Sequence, residues 1–265
     1  MFSYNLNIDL SYCEKLDKFA LLTDQPYNLG NKGVWFGCFR GGLYGMYGRV
    51  YGIQFQNKLV HSWESKLTQM RQVDFHVSSI LFNMDSVLEC FTFGINALGW
   101  IVEDSLFKSV TSESDLKKIN PFNIIGNSSR PPVPGYAKYF PTLQKHWKNS
   151  VKLIEKVIEH HDVSKHRESV VSGGQLRQDP PAGFEIEIEI EGRKISHSPF
   201  LNFQEILLTN APKQPSALRS PADTNDLDVL EKLTSGFVEF IQESFKLAYE
   251  DAVASIKLSV PAFRK

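Results

Sequence analysis

Hydrophobic side chains recur at intervals of three and four residues along three long stretches of the chain. This is the repeat of an α-helix that buries one face. The strongest stretch, about residues 65–102, predicts one long helix, or two helices with a break near Asn83, at the centre of the core. The others, from about 141 to 159 and from about 224 to 258, predict helices that complete a bundle.

Residues 33–55 have a different pattern, in which apolar side chains alternate with glycines at positions 33, 37, 41 and 45. Arg40 and Arg49 interrupt this run, which argues against a membrane span. A spacing of four would put the glycines on one helix face, where a second backbone can approach closely. We therefore expect a helix whose glycine face is packed inside the protein, and no membrane partner.

Strict alternation of isoleucine with glutamate follows a glycine- and proline-rich stretch, in the segment "FEIEIEIEG". Alternation with a period of two is typical of a half-buried strand, and Gly192 marks a turn into a second strand. The pattern predicts a β-hairpin at about residues 183–198. The sequence thus indicates a mainly α protein: a single helical domain over residues 1–265, a helical bundle with a small inserted β-hairpin. The Ser-, Pro- and Asn-rich residues 109–136 are expected to form a long surface connection.

Charge and composition narrow the range of partners. The 265 residues include 29 basic and 30 acidic side chains, and 42% are hydrophobic, as in a folded protein. Without a net basic field, binding to nucleic acid would have to come from a local patch.

The three cysteines are widely separated and form no CxxC pair, which disfavours a disulfide framework or a thiolate zinc site. The N-terminal residues lack the pattern of a secretory signal, so a cytoplasmic location is expected.

The densest group of ionisable side chains is the segment "HHDVSKHRES", residues 160–169, where the second of the three helical patterns ends. Extending the apolar stripe of that helix by steps of three and four leads through His161 and Asp162 to Lys165 and His166. These side chains are therefore expected either in an internal cleft or at a solvated helix end, where cations favour the helix dipole.

Acidic side chains on the central helix could face this group. Asp85 and Glu89 are four residues apart beside the apolar stripe, and Asn96 lies about two turns further on. We expect Asp85, Glu89 and Asn96 to form the binding side of a composite site that meets the basic end of the other helix. The alternative is an ion-pair network that only fixes helix register.

The proposed catalytic side of this site consists of four residues. His166 can act as acid or base near neutral pH, and Lys165 or Arg167 can hold a phosphate, with Asp162 beside them. No metal ligand set or cofactor motif is evident, so none is assigned.

The segment from Asp162 to Arg167, a polar D-x-x-K-H-R sequence that ends a bundle helix opposite an acidic helix, resembles the HEPN superfamily of small helical bundles. That family places an arginine four to six residues before a histidine; here Arg167 follows His166 instead. The resemblance implies metal-independent attack of a ribose 2′-hydroxyl on the adjacent phosphate, RNA or a nucleotide as ligand, and a homodimer.

Two other functions are compatible with the same residues. One is a noncatalytic bundle that binds a partner or serves a structural role. The other is a metal-dependent phosphohydrolase that uses the adjacent His161 and Asp162, for which His146 and Asp179 are the nominal further ligands.

Overall fold

The structure is a computed structural model that describes residues 6, 8–23, 32–61, 67–166, 186–190, 193–197 and 226–256, with backbone alone at some helix ends. This part of the chain is mainly helical, as predicted. The α-helices in it, in chain order, are α1 Ser11–Thr23, α2 Lys32–His61, α3 Leu67–Val102, α4 Phe122–Ile125, α5 Pro134–Tyr139, α6 Pro141–Asn149, α7 Val151–His166 and α8 Asp226–Ser255.

Helices α2 and α3 form an antiparallel pair, which has the most extensive contacts between any two of the described helices. The buried residues of α2 that form its inner seam are spaced alternately by four and three, as in a coiled coil. They are Phe39, Leu43, Met46, Val50, Ile53, Asn57 and Val60. The backbones approach most closely at Gly42, where an added Cβ would lie 2.8 Å from the carbonyl oxygen of Cys90 and 2.9 Å from Cα of Gly94.

A layer formed by α6, α7 and α8 covers α3 and completes the core. The indole of Trp147 is fully buried and stacks on Phe91 at a centroid distance of 5.2 Å. Its Nε1 donates a hydrogen bond of 3.0 Å to Oγ of Ser244 in α8, and Phe245 meets Phe91 edge to face. These contacts fix how far α6 and α8 lie along α3.

The first helix, α1, packs on the last, α8. Tyr249 contacts both Tyr12 and Phe19, at centroid distances of 6.0 and 6.3 Å. On its other side α1 meets α2 through an ion pair of 3.0 Å between Asp17 and Arg40.

Three of the boundaries expected from the sequence are corrected. The alternative of a break near Asn83 is wrong, since α3 is continuous from Leu67 to Val102. The helical pattern that begins at Pro141 is two helices, because Ser150 ends α6 and its carbonyl oxygen accepts the first hydrogen bonds of α7. Residues 109–136 are partly folded, with a 3-10 helix at Glu113–Lys118 and with α4, in which Ile124 and Ile125 are buried.

The prediction that the glycines of α2 share one packed helix face is also wrong in part. Gly45 packs on Cys90 of α3, whereas Gly37 and Gly41 face open space. A spacing of four advances about 40° more than a full turn, so four glycines in series spread over about 120° of the helix. The close approach is made instead by Gly42 and Gly94.

Residues Ile186–Ile190 and Arg193–His197 pair as antiparallel strands β1 and β2. Their side chains lie outside the described residues. The prediction of a half-buried hairpin inserted at about residues 183–198 is not established by this backbone pairing alone, and it stays a prediction.

Candidate functional site between helices α3 and α7

The polar segment of α7 contacts the acidic side of α3 at His161 and Asp85. Nδ1 of His161 lies 2.7 Å from Oδ2 of Asp85, and the two side chains are only 10% and 15% exposed. The sequence correctly identified Asp85 as a residue beside the core stripe. The basic residue that meets it is His161.

The path of the buried face along α7 explains this pairing. Ile154 and Val157 are fully buried, and steps of three and four from Val157 lead to His160 and His161, which are buried as well. Asp162 is exposed, so the apolar stripe does not continue through it as expected. The backbone of Lys165 and His166 belongs to α7, but their side chains, and the whole of Arg167, lie outside the described residues.

The Asp85–His161 pair has the geometry of an oriented histidine. A carboxylate that accepts a hydrogen bond from Nδ1–H fixes the imidazole tautomer and leaves the lone pair of Nε2 for proton transfer. The ring of Phe82, one turn before Asp85, meets His161 edge to face at 5.6 Å and is itself 49% exposed. An aromatic face open to solvent therefore lies directly beside the oriented imidazole.

The neighbouring His160 is in a different state. It is 1% exposed, and neither ring nitrogen has a hydrogen-bond partner among the residues that the structure describes. Burial, assisted by the nearby charge of Lys156, lowers the pKa of His160 to about 4. At neutral pH this imidazole is uncharged, because burial disfavours the cation.

The other two residues predicted on the binding side have different surroundings. Asn96 is fully buried, and its amide bonds the backbone of Lys108 twice, as donor to the carbonyl oxygen at 2.8 Å and as acceptor from N–H at 3.1 Å. It thereby closes the loop that follows α3. Glu89 is exposed on α3, one turn beyond Asp85. Asp85 contacts α7 through His161.

The nominal metal ligands are not assembled in the part of the chain that the structure describes. No group of three or more His, Cys, Asp or Glu side chains suited to a metal ion occurs there. His146 lies 3.2 Å from the carbonyl oxygen of Phe240 through Nε2, and its ring stacks on that residue. Asp179 lies outside the described residues. No helix among those described is both long enough and apolar enough to cross a membrane.

A second polar group, which the sequence did not reveal, lines the groove between α1 and α2. Arg40 donates two hydrogen bonds to Asp17, at 3.0 and 3.2 Å, and one of 2.7 Å to the hydroxyl of Tyr44. Cys13 borders the same groove, but burial raises the pKa of its thiol to about 12, so it is not a nucleophile near neutral pH. Asp17 and Arg40 come from separate helices, and their pairing has no signature in local spacing.

Comparison with known proteins adds no family to this description. No protein-family model matches the chain, and no curated protein or solved structure matches it either.

Proposed function

We propose that the protein is a HEPN-like RNA-binding bundle with a metal-independent, ribonuclease-type acid–base site, and that His161 is its base. The observation that carries this proposal is the 2.7 Å contact between Nδ1 of His161 and Oδ2 of Asp85. This contact orients the imidazole of His161. The resemblance implied His166 as the catalytic histidine instead. The proposal keeps the chemistry expected from the sequence and moves its base five residues towards the start of α7.

In the proposed step, Nε2 of His161 takes the proton of a ribose 2′-hydroxyl. The 2′-oxygen then attacks the adjacent phosphorus, and the bond from phosphorus to the 5′-oxygen breaks. The products are a 2′,3′-cyclic phosphate and a 5′-hydroxyl, which receives its proton from a general acid. In this proposal His166 is that acid, and Lys165 and Arg167 hold the phosphate, with Asp162 at the edge of the site.

Binding of single-stranded RNA is supported by the exposed ring of Phe82 beside His161. Unpaired bases stack on aromatic side chains, which contributes about 1–3 kcal/mol per base. The proposal also includes a cytoplasmic location and the inserted hairpin at about residues 183–198, neither of which the test below depends on.

The test is cleavage of single-stranded RNA by the purified chain in EDTA. We expect cleavage that His161→Ala and His166→Ala abolish and that Asp85→Asn lowers by about tenfold to a thousandfold, since the amide no longer orients and stabilises the imidazole. Glu155→Gln changes an exposed carboxylate of the same helix and should leave cleavage unchanged. Cleavage that persists in His161→Ala would refute the assignment of the base, and a requirement for metal would favour the phosphohydrolase.

A second candidate, a noncatalytic bundle, is favoured by the burial of the same pair. His161 is 8% exposed as a residue, so its contact with Asp85 can serve mainly to fix α7 against α3. In that case the wild-type chain neither cleaves nor binds RNA, and Asp85→Asn lowers the free energy of unfolding without any effect on RNA.

A further inference from the structure

The outer side of α2 has an unusual surface. Within residues 34–60, all exposed positions lie on one stripe, spaced alternately by three and four residues. They are Val34, Gly37, Gly41, Tyr44, Gly48, Tyr51, Phe55 and Lys58. We call these eight residues the outer seam. Its spacing is that of a coiled-coil seam, so α2 has one such seam on the inside and a second on the outside.

The residue composition of the outer seam is that of a buried helix face. The outer face of a surface helix is normally charged or polar, but here the only charged residue is Lys58. Tyr44, Tyr51 and Phe55 are 58%, 53% and 60% exposed. Large aromatic side chains that follow one another along an uncharged stripe mark a surface that another molecule covers.

Nothing in the part of the chain that the structure describes packs closely on the glycines of the outer seam. A Cβ added at Gly37, Gly41 or Gly48 would meet no atom within 4 Å, unlike one at Gly42. Each glycine in a helix interior costs about 1 kcal/mol relative to alanine. Three such positions on one face are explained if a bulky group from outside lies over each of them.

We infer that this group comes from a second copy of the chain, whose outer seam packs antiparallel on the first. In the register where residue numbers of facing positions sum to 92, Gly37 faces Phe55, Gly41 faces Tyr51 and Gly48 faces Tyr44. Each aromatic of one copy then covers a glycine of the other. The remaining pair is Val34 with Lys58, so all eight positions are matched across a two-fold axis at residue 46.

Other alignments of two outer seams fit less well. Shifting the antiparallel register by one heptad, to a sum of 85, places Gly37 on Gly48 and leaves Phe55 beyond the overlap. In a parallel pair in register, each aromatic side chain faces the same aromatic side chain of the other copy. Only the sum of 92 among these gives a large residue on a small one at each of the six central positions.

Charge is compatible with this pairing. The helix has no acidic residue, and its cations are Lys32, Arg40, Arg49 and Lys58. In the proposed register these face positions 60, 52, 43 and 34, none of which is charged. Arg40 is in addition neutralised by Asp17 of its own chain. The two basic helices can therefore meet without placing like charges opposite each other.

The contact area predicts a reversible dimer. Six aromatic side chains of about 200 Å² each, a little more than half exposed before contact, contribute roughly 700 Å² of buried surface. With the backbone of the glycines the total is roughly 1,000 Å², at the low end of specific interfaces. The inference does not depend on the site at His161, which lies on α7.

Sedimentation equilibrium of the full chain over a range of concentrations tests the inference. We expect a monomer–dimer equilibrium in the wild type. Gly41→Tyr should weaken dimerisation about tenfold or more, because the new side chain at position 41 occupies the space in which Tyr51 of the other copy packs. The exchanged double variant Gly41→Tyr with Tyr51→Gly should restore it, because each tyrosine again faces a glycine. Circular dichroism should show folded helices in both.

Phe55→Ser and Phe75→Ser are a matched pair, since the two rings are 60% and 64% exposed but only Phe55 lies on the outer seam. The first should weaken the dimer and the second should not. A wild-type chain that stays monomeric overturns the inference, whether the face is then covered by another segment of the chain, another protein or a lipid vesicle. A dimer unaffected by Gly41→Tyr, or one that the exchange does not restore, overturns the antiparallel pairing.

Discussion

The carboxylate of Asp251, in α8, accepts a hydrogen bond of 2.9 Å from the backbone N–H of Thr142 at the start of α6. The same oxygen accepts a second bond of 2.9 Å from N–H of Leu143, and the hydroxyl of Thr142 donates to the other oxygen. The first N–H groups of a helix have no partner within the helix. Asp251 therefore caps α6 from another helix, and its negative charge favours that end of the helix dipole.

Removing this cap should destabilise the bundle. Asp251 is 6% exposed, so Asp251→Ala leaves N–H groups buried without an acceptor. We expect the free energy of unfolding, measured by urea denaturation, to fall by about 1–3 kcal/mol. Glu250→Ala removes the adjacent, exposed carboxylate and should change it by less than about 0.5 kcal/mol. Equal effects of the two variants would contradict the structural role of the cap.

Adding a methyl group at Gly42 should separate α2 from α3. Its Cβ would lie 2.8 Å from the carbonyl oxygen of Cys90, which is backbone and cannot rotate away. We expect Gly42→Ala to lower the free energy of unfolding by about 1–3 kcal/mol. Gly236→Ala, where the added Cβ meets nothing within 4 Å, should instead raise it by up to about 1 kcal/mol. A stabilising Gly42→Ala would show that the helices are further apart.

The buried imidazole of His160 should make stability depend on pH. Its pKa is lowered to about 4 in the folded chain, from an ordinary value of 6.5. Between these two values the unfolded chain binds a proton that the folded chain does not. The free energy of unfolding therefore falls as the pH drops from about 6.5 to about 4, by at most about 3 kcal/mol, and this contribution is constant above and below that range.

His160→Leu should remove that contribution and also the cost of burying ring nitrogens that make no hydrogen bond to any described residue. In urea denaturation at a series of pH values, we expect the variant to be more stable than the wild type and the difference to grow towards pH 4. A difference that stays constant with pH would show that His160 titrates normally in the folded chain.

Asn57 should be a second site where an apolar residue increases stability. It is 1% exposed in the inner seam of α2, and within the described part of the chain neither the oxygen nor the nitrogen of its amide has a hydrogen-bond partner. Asn57→Leu should raise the free energy of unfolding by about 1–3 kcal/mol in urea denaturation. A loss of stability would indicate instead that this amide has a polar partner which holds α2 and α3 in register.

The sequence predicted α3 as one long helix or as two helices with a break near Asn83, and the helical spacing of its apolar residues throughout is the feature that agrees with the continuous helix. The break at Ser150 could not be seen in the same way. Trp147, Val151 and Ile154 are spaced by four and three residues across it, so the apolar pattern passes through the break unchanged. Hydrophobic periodicity reports which face is buried, and it is insensitive to a short change of direction that keeps that face inside.

Half of the polar pair between α3 and α7 could be predicted. Asp85 was identified by its position beside the core stripe, which depends on α3 alone. That His161 is its partner depends on how far α7 lies along α3, which is set by contacts such as that of Trp147 with Phe91. The sequence placed His161 on the extended apolar stripe, and the burial of His160 could have been found by counting from Val157. Ile158 also fits the helical spacing, however, and leads to Asp162, which is exposed.

The cap that Asp251 provides for α6 joins residues 109 positions apart in the chain. During synthesis, α2 and α3 can pair as soon as both have left the ribosome. The start of α6 and the apolar side of α1 must wait for α8, which emerges last of the described helices. Until then they expose the surfaces that α8 will cover, which makes the growing chain vulnerable to aggregation and proteolysis until α8 docks.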